Sequence, residues 1–313
     1  MTTMKAVTLH AYGGPEVLVL EEAPRPQAGP GEVLVRVHAV GVNPLDWKVR
    51  AGHVQGWLKH RLPLIPGWDV SGVVEAAAPD VTAFKVGEAV YGLLDSSRDG
   101  AYAEYVAAPA LNLALKPKSI DHVQAAAVPV GCLAAWQSLF EVAGLKAGQT
   151  VLIHAAAGGV GHFAVQLAKW KGARVIGTAS AGNAGFLRDL GADEVIDYRA
   201  TKFEEAVRGV DVVLDTLGGD TQQRSWQVLK KGGILVTTLS IASPEAAAQH
   251  GVRGQGFRAR PDAAQLAEIA ILIDAGQLKP AVTMVLPLAK AAQAHEMSQA
   301  GHGRGKIVLQ VAD

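Results

Sequence analysis

The sequence has a single cysteine, no long apolar run and no charged leader at its N-terminus. Cys132 alone cannot form an internal disulfide, and it cannot build a zinc site from several thiolates. No apolar stretch reaches the roughly 20 residues that a membrane-spanning helix needs. The first residues also lack the pattern of a secretory signal. These absences predict a cytoplasmic, soluble globular protein.

An excess of charge of one sign is also missing. The 313 residues carry 29 basic and 29 acidic side chains, which gives a formal net charge of zero. Proteins that bind phosphate polymers or anionic membrane surfaces usually concentrate positive charge on the binding face. The balanced charge therefore argues against nucleic acid and against a membrane as partners.

Two hydrophobic patterns divide the chain, and 35 glycines punctuate both. In the first third, short segments that alternate apolar and polar residues, such as 32–41 and 70–77, predict many short strands. From about Gln124 onward, strand patterns alternate with helical ones, as in 150–154 and 160–171. That alternation predicts an α/β fold with a parallel sheet covered on both faces.

The strongest chemical signal lies where the strand at 151–154 runs into a Gly-rich turn and then a helix. The turn consists of Ala156, Ala157, Gly158, Gly159, Val160 and Gly161. In a dinucleotide fingerprint, Gly158 lets the backbone approach the pyrophosphate and Gly161 lets the helix pack closely on the strand. Ala156 departs from the pattern, because it stands at the first glycine of GxGxxG. A tight strand–helix connection is the alternative, but the flanking strand and helix favour cofactor binding by Ala156 and residues 158–161.

The next strand, at 174–180, decides which cofactor the sequence favours. NAD-binding enzymes usually carry an Asp or Glu at its end, which holds the ribose 2′-hydroxyl. Here the strand runs into Ser180 and Asn183 with no acidic residue, so no carboxylate repels a 2′-phosphate and two side chains can donate to it. The alternative is that both side chains cap the helix starting near Ala184. The pattern predicts NADPH in preference to NADH.

Six motifs spread along the chain are similar to the medium-chain dehydrogenase/reductase superfamily, in particular its quinone oxidoreductase and alkenal/enone reductase branch. They are GVNPLDWK at 41–48, PGWDVSG at 66–72, FKVGEAV at 84–90, GAYAEY at 100–105, AAGGVG at 156–161 and VLDTLGG at 213–219. The resemblance implies a GroES-like β-barrel for residues 1–122 and 259–313. It implies a Rossmann domain, a doubly wound parallel sheet, for residues 123–258.

The alcohol dehydrogenases of this superfamily hold a catalytic zinc with Cys, His and Cys. The resemblance places Asn43, Trp68 and approximately Val130 at those positions, and these side chains do not form a zinc site. It implies an NADPH-dependent enzyme that transfers hydride, without zinc, to quinones or α,β-unsaturated carbonyls. The alternatives are a zinc-free enoyl-thioester reductase and a non-catalytic NADPH-binding protein.

The resemblance also assigns individual side chains to the site. Asn43 and Lys48 are the candidate catalytic residues, as donors to the carbonyl oxygen of the substrate. Asn43 is equally consistent with a cap for the turn at Pro44, and Lys48 with a solvated surface lysine. The remaining candidate cofactor contacts are Tyr198, Thr216, Leu217, Leu239, Ser240 and Lys306. An edge strand within 251–260 predicts a homodimer, since exposed strand edges are usually covered.

Overall fold

The computed structural model describes residues 2–301 and 303–312, and the chain divides into two compact units. The first unit contains the residues up to Val130, together with Pro261–Gly276 and the residues from Pro280 on. The second unit contains Gly131–Arg260 and Gln277–Lys279. The sequence placed the domain boundaries after residue 122 and before residue 259, whereas these units change at Val130/Gly131 and at Arg260/Pro261.

Strands and short helices alternate along the described chain. The strands are β1 (Thr3–Leu9), β2 (Leu18–Pro24), β3 (Glu32–Val42), β4 (Asp69–Ala77), β5 (Ala89–Leu93), β6 (Tyr105–Pro109), β7 (Leu113–Leu115), β8 (Thr150–Ile153), β9 (Arg174–Ala179), β10 (Glu194–Asp197), β11 (Val210–Asp215), β12 (Leu229–Thr237), β13 (Arg253–Gly256), β14 (Val282–Pro287) and β15 (Lys306–Gln310). The helices are α1 (Pro44–Arg50), α2 (His122–Ala126), α3 (Pro129–Trp136), α4 (Gly161–Trp170), α5 (Ala184–Asp189), α6 (Phe203–Ala206), α7 (Gly219–Ser225), α8 (Pro244–Gln249), α9 (Ala263–Asp274) and α10 (Ala291–Ala300). A π-helical turn, Gln137–Val142, continues α3.

The first unit is built on a mixed sheet in the order β14-β15-β3-β4-β5-β7, with β1 and β2 as a separate pair. The long strand β3 pairs with β6 along its first half and with β15 along its second half. Ile307 lies opposite Val42 in that second ladder. This register brings Lys306 beside Asn43, although the two residues lie at opposite ends of the chain.

The second unit contains a six-stranded parallel sheet in the order β10-β9-β8-β11-β12-β13. This is the strand order of a Rossmann fold, and its switch point lies between β8 and β11, where dinucleotides bind in such sheets. Buried side chains such as Leu152, Val213, Trp226 and Leu235 form its core. The predicted Rossmann architecture is confirmed, and β13 is an edge strand, within the segment 251–260 that the sequence indicated.

Local differences from the sequence interpretation have physical causes. The sequence of residues 101–107 alternates like a strand, but the strand begins only at Tyr105, because Tyr102 and Ala103 instead contact β1 through single backbone bonds. Residues 226–229 read as the end of a helix in the sequence, but Trp226–Val228 form a short 3₁₀ turn that β12 follows directly. Helix α1 was not predicted, because seven residues give too few turns for a helical period to stand out.

Candidate active site and cofactor loop

The Gly-rich turn connects β8 to α4 and leaves no room for a side chain at Gly161. A Cβ on Gly161 would lie 2.4 Å from the carbonyl oxygen of Ala155, so only glycine fits at this position. The N-cap residue of α4, Val160, supplies no side-chain cap. The N–H of His162 donates to the carbonyl of Gly158 at 3.1 Å, so a phosphate at this turn would use the other N–H groups of the first turn.

Ala156, the departure from the fingerprint, is explained by its neighbour on β9. The Cβ of Ala156 faces Gly177, where an added Cβ would lie only 2.9 Å away. The positive φ of the turn falls on Ala155, at +48°, so the residue after it keeps an ordinary backbone conformation. Glycine at position 177 thus makes room for the methyl group that the fingerprint normally lacks.

The ends of β9 and β10 bring together the polar groups of several residues. The amide of Asn183 donates to the hydroxyl of Ser180 at 3.1 Å, and neither side chain forms a capping hydrogen bond to the following helix. The N–H of Tyr198 donates to the carbonyl of Ala179, and its ring is about half exposed. The guanidinium of Arg199 lies 5.7 Å from the centre of that ring. The capping alternative for Ser180 and Asn183 is thus not what their side chains do here.

Two further loops with predicted cofactor contacts are held by one buried carboxylate. Asp215, at the end of β11, accepts hydrogen bonds from the N–H groups of Leu217 and Gly218, each at 2.9 Å. Its second oxygen accepts from Gln222, which also donates to the carbonyl of Ser240. Asp215 and Gln222 therefore fix the loop after β11 relative to the loop after β12. The loop positions that they hold include Thr216, Leu217, Leu239 and Ser240.

His154 lies on the same side of the sheet but is a packing residue. Its ring is buried, contacts the hydroxyls of Thr178 and Ser225, and packs edge-on against Phe203. Burial lowers the pKa of His154 to about 4, so it is neutral at physiological pH. These contacts make His154 a core residue.

In the first unit, Asn43, Asp69 and Lys306 form one buried polar cluster. The ammonium of Lys306 contacts the carboxamide oxygen of Asn43 and lies 3.1 Å from the carboxylate of Asp69. The amide nitrogen of Asn43 donates to Asp69 at 2.9 Å. Burial raises the pKa of Asp69, while the nearby Lys306 opposes that rise. The lysine therefore supplies a positive charge that favours the ionised form of the Asp69 carboxyl.

Asn43 occupies the N-cap position of α1. Its side chain contacts Asp69 and Lys306. Its backbone N–H donates to Asp46 at 2.8 Å, so the capping carboxylate comes from the third residue of the helix. One amide hydrogen is held by Asp69, whereas the contact with the carbonyl of Gly41 is long, at 3.4 Å. Both amide hydrogens therefore have a partner, and the one on the Gly41 carbonyl is held by the longer bond.

Lys48 lies on α1 and is partly exposed. Its ammonium lies 5.6 Å from the centre of the Trp47 ring, and no hydrogen-bond acceptor contacts it in the described part of the chain. The indole nitrogen of Trp47 is buried without a partner. Lys48 therefore has free donors, and its catalytic role stays a prediction.

The positions that correspond to zinc ligands carry side chains engaged elsewhere. Trp68 is buried and donates its indole N–H to the carbonyl of Arg98, and Val130 offers only its backbone N–H, which donates to Asp69. Within residues 2–301 and 303–312, no three His, Cys, Asp or Glu side chains are grouped to hold a metal ion. Over the same residues, no helix has the length and apolar character required to cross a bilayer.

Comparison with known proteins identifies the family. The alcohol dehydrogenase GroES-like domain matches residues 29–118, and the zinc-binding dehydrogenase family matches residues 190–309. The human protein named NAD(P)H oxidoreductase RTN4IP1, mitochondrial, is 33% identical over 99% of this chain and 90% of its own length. The quinone oxidoreductase structure from Coxiella burnetii has a TM-score of 0.92 at 36% identity, covering 99% of this chain and 100% of that one. The chain belongs to the quinone oxidoreductase branch of the medium-chain dehydrogenase/reductase superfamily.

Other relatives of this quinone oxidoreductase family member differ in what their names state. The tomato 2-methylene-furan-3-one reductase is 33% identical over 98% of this chain and 79% of its own length. A mycobacterial protein solved in complex with NADPH has a TM-score of 0.88 at 33% identity, covering 98% of this chain and 100% of that one. The resemblance and the fold class derived from the sequence are thus confirmed.

Some side chains of the candidate site were indicated by the sequence and others were not. The pattern indicated Asn43 and Lys306 separately, with Lys306 as a cofactor contact, and did not join them in one cluster. Asp69 was missed, although the buried strand that it begins was predicted. Arg199 was also missed, because an arginine that follows an isolated tyrosine carries no periodic signal.

Proposed function

We propose that this protein is an NADPH-dependent reductase of quinones and α,β-unsaturated carbonyls that works without zinc. The observation that carries the proposal is the buried cluster at the start of α1. Its cation is the Lys306 ammonium, and Asn43 presents a carboxamide where alcohol dehydrogenases of the superfamily present a thiolate. The names of the C. burnetii and tomato relatives support quinones and enones as substrate classes.

The residues of the second unit fit a bound dinucleotide. The glycine at 161 leaves the helix N-terminus open to a pyrophosphate, and the loops after β11 and β12 are fixed by Asp215 and Gln222. Ser180, Asn183, Tyr198 and Arg199 would take the 2′-phosphate, and Arg199 supplies the positive charge that favours NADPH over NADH. The NADPH-bound mycobacterial structure supports this assignment.

When bound, the nicotinamide supplies the hydride, and the chain's own residues orient and polarise the acceptor. A hydride adds easily to a conjugated C=C bond or to a quinone, because the developing charge spreads onto oxygen. The Lys48 ammonium would donate to that oxygen, and the amide hydrogen of Asn43 that Gly41 holds by the longer bond would help. Lys306 and Asp69 hold the Asn43 carboxamide in one orientation, which limits the reorganisation needed during the reaction.

Steady-state assays test the proposal. The purified protein is given NADPH with a panel of quinones, enals, enones and enoyl thioesters, and NADPH oxidation is followed. We expect turnover of quinones and enones and little turnover of simple alcohols with NADP⁺. Turnover confined to enoyl thioesters would favour the thioester reductase alternative, and no turnover with any acceptor would favour a non-catalytic NADPH-binding protein.

A homodimer in the cytoplasm belongs to the same proposal. Strand β13 leaves one side of the parallel sheet unpaired by any strand of the described chain, and pairing across a two-fold axis would cover it. A monomer in light scattering at micromolar concentration would exclude the dimer. The human relative is named as mitochondrial, so fractionation of cells that express the chain tests the cytoplasmic location.

A further inference from the structure

Helices α1 and α10 of the first unit face each other through polar side chains. Asp46 and Arg50 lie one turn apart on α1, and His295 and Gln299 lie one turn apart on α10. Arg50 donates to the carboxamide oxygen of Gln299 at 3.1 Å. The hydroxyl of Tyr102 lies 3.2 Å from Asp46 and 3.1 Å from the Nε2 atom of His295. We call these five residues the α1–α10 cluster.

The cluster contains buried polar atoms without a protein partner. They are Oδ1 of Asp46, Nε and Nη1 of Arg50, and Nδ1 of His295. The three side chains are at most 1% exposed. An unsatisfied buried donor or acceptor costs about 1–3 kcal/mol, and native proteins satisfy nearly all of them. Because these atoms belong to facing helices and include both donors and acceptors, water molecules between the helices can bond to several of them at once.

The cluster connects directly to the candidate active site. The same Asp46 oxygen that contacts Tyr102 accepts the backbone N–H of Asn43 at 2.8 Å. The side chain of Asn43 in turn contacts Lys306 and Asp69. A change of charge on Asp46 therefore acts directly on Asn43 and, through the Asn43 side chain, on Lys306.

We propose that the α1–α10 cluster encloses internal water and that Asp46 is a positioning residue, which sets the geometry of Asn43 and Lys306 by gaining or losing a proton. The proton moves between the Asp46 carboxyl and the enclosed water, and no covalent bond to carbon is involved. Ionised Asp46 makes a charge-assisted bond to the Asn43 N–H, which is stronger than the bond to a neutral carboxyl. The ionised form therefore holds Asn43 in place.

The surroundings of Asp46 support a proton exchange near neutrality. Burial raises the pKa of Asp46 to about 7. The groups that act on it or on its neighbours are Asp69 on β4, Lys306 on β15, Tyr102 before β6, Arg50 on α1 and His295 on α10, with Glu16 and Glu296 acting on Arg50. Burial lowers the pKa of His295 to about 3, so this histidine stays neutral while Asp46 titrates.

The kinetic test rests on the proposed reductase activity and compares pH profiles of kcat/KM. We expect the wild-type value to rise with pH through an inflection near 7. The kcat/KM of Asp46→Asn should lack that inflection and should match the wild-type value at low pH. At pH ~8 it should be about tenfold below the wild-type value, which is less than the hundredfold loss that a displacement of about 1 Å can cause. Parallel wild-type and Asp46→Asn profiles would overturn the proposal. Asp121→Asn, a change in the exposed N-cap of α2, is the matched control and should keep the wild-type profile.

The pH profile of Tyr102→Phe is a second test, which is available even if Asp46→Asn fails to fold. The Tyr102 hydroxyl lowers the pKa of Asp46, so its removal should move the inflection to higher pH. An unchanged inflection in Tyr102→Phe would contradict the proposal.

Two measurements that need no activity separate this proposal from the proposed function. In infrared spectra of full-length protein labelled with ¹³C-aspartate, we expect a protonated carboxyl band that disappears as pH rises through 7 and is absent in Asp46→Asn. In a high-resolution crystal structure, we expect ordered water bonded to Asp46, Arg50 or His295. A band that persists in Asp46→Asn, or dry density between the helices, would overturn the proposal even in an active enzyme. If both measurements succeed and no acceptor is reduced, the proposed function fails and the α1–α10 proposal stands.

Discussion

The ammonium of Lys306 lies 3.1 Å from the carboxylate of Asp69, and neither side chain is more than 3% exposed. The ladder between β15 and β3 creates this pair, because Ile307 lies opposite Val42. Desolvation of two charges is costly, and removal of one partner leaves the other buried and uncompensated. The pair therefore stabilises one arrangement of Asn43 more than it stabilises the fold.

Removal of one partner tests this relationship. Asp69→Ala should lower the free energy of unfolding by about 3–5 kcal/mol, because Lys306 is left buried without a counter-charge. Asp69→Leu combined with Lys306→Met should cost less than the sum of the single changes. Urea denaturation measures the unfolding free energies of Asp69→Ala, Asp69→Leu, Lys306→Met and the double variant. Lys169→Met is the control, since its pair with Asp193 is about one-third exposed and should contribute less than about 1 kcal/mol. If Asp69→Ala lowers the free energy of unfolding no more than Lys169→Met does, Asp69 and Lys306 are not energetically coupled.

Arg199 is expected to discriminate between the two cofactors. Arg199→Ala should weaken NADPH by about 10–100-fold, the range expected for loss of a charge-assisted bond, and leave NADH nearly unchanged. Asn183→Asp should also weaken NADPH, because a carboxylate would repel the 2′-phosphate. Fluorescence titration gives both affinities. Arg174→Ala is the control, since Arg174 begins β9 and pairs with Glu194 at the other end of the strand. Equal weakening of NADPH and NADH would exclude this role for Arg199.

Acid should destabilise the fold through His154. Burial lowers its pKa from 6.5 to about 4 in the folded chain, so the unfolded chain binds the proton first as pH falls. The stabilisation is fully present above pH ~6.5 and is lost as pH falls toward 4, with about 2 kcal/mol gone at pH ~5. Between pH 7 and 5, the free energy of unfolding should therefore fall about 2 kcal/mol less in His154→Gln than in the wild type. His250→Gln, a change in an exposed histidine, should follow the wild type. Identical pH slopes for His154→Gln and the wild type would contradict the neutral, buried state of this ring.

Lys48 is expected to act in the transition state. Lys48→Ala should lower kcat for enones by up to about 10²–10³ where the site is dry, with NADPH affinity nearly intact. Quinones spread the charge over two oxygens, so their reduction should suffer less. Lys85→Ala, at an exposed position in the same unit, serves as the control. Unchanged rates with both substrate classes would make Lys48 a surface residue and leave the donor role to Asn43 or water.

The sequence predicted features that depend on short stretches of chain. The turn at 156–161 and the order of strands and helices around it carry their own signal, because each glycine and each apolar period acts locally. The cluster of Asn43, Asp69 and Lys306 could not be predicted, because its members meet only through the pairing of β3 with β4 and β15. A pairing register between the two ends of a chain leaves no local pattern.

Structure also explained a departure that the sequence could only report. Ala156 breaks the glycine fingerprint, but the reason lies on β9, where Gly177 leaves space for the extra methyl group. Asp215 and Gln222 show the same limitation, since the hydrogen bonds that fix two loops become visible only when β11 and β12 are adjacent. Compensation across neighbouring strands was thus beyond the reach of the sequence pattern.

The most direct test of the account is a single turnover with NADPH that carries deuterium at the transferable position of nicotinamide C4. The zinc content of the protein is measured by elemental analysis, the protein is mixed with an enone with and without a chelator, and the product is examined by mass spectrometry. The account predicts one deuterium on the β-carbon of the saturated product for each NADPH consumed, at a rate that the chelator does not change. A product without deuterium, or activity that is lost with one tightly bound zinc per chain, would contradict it.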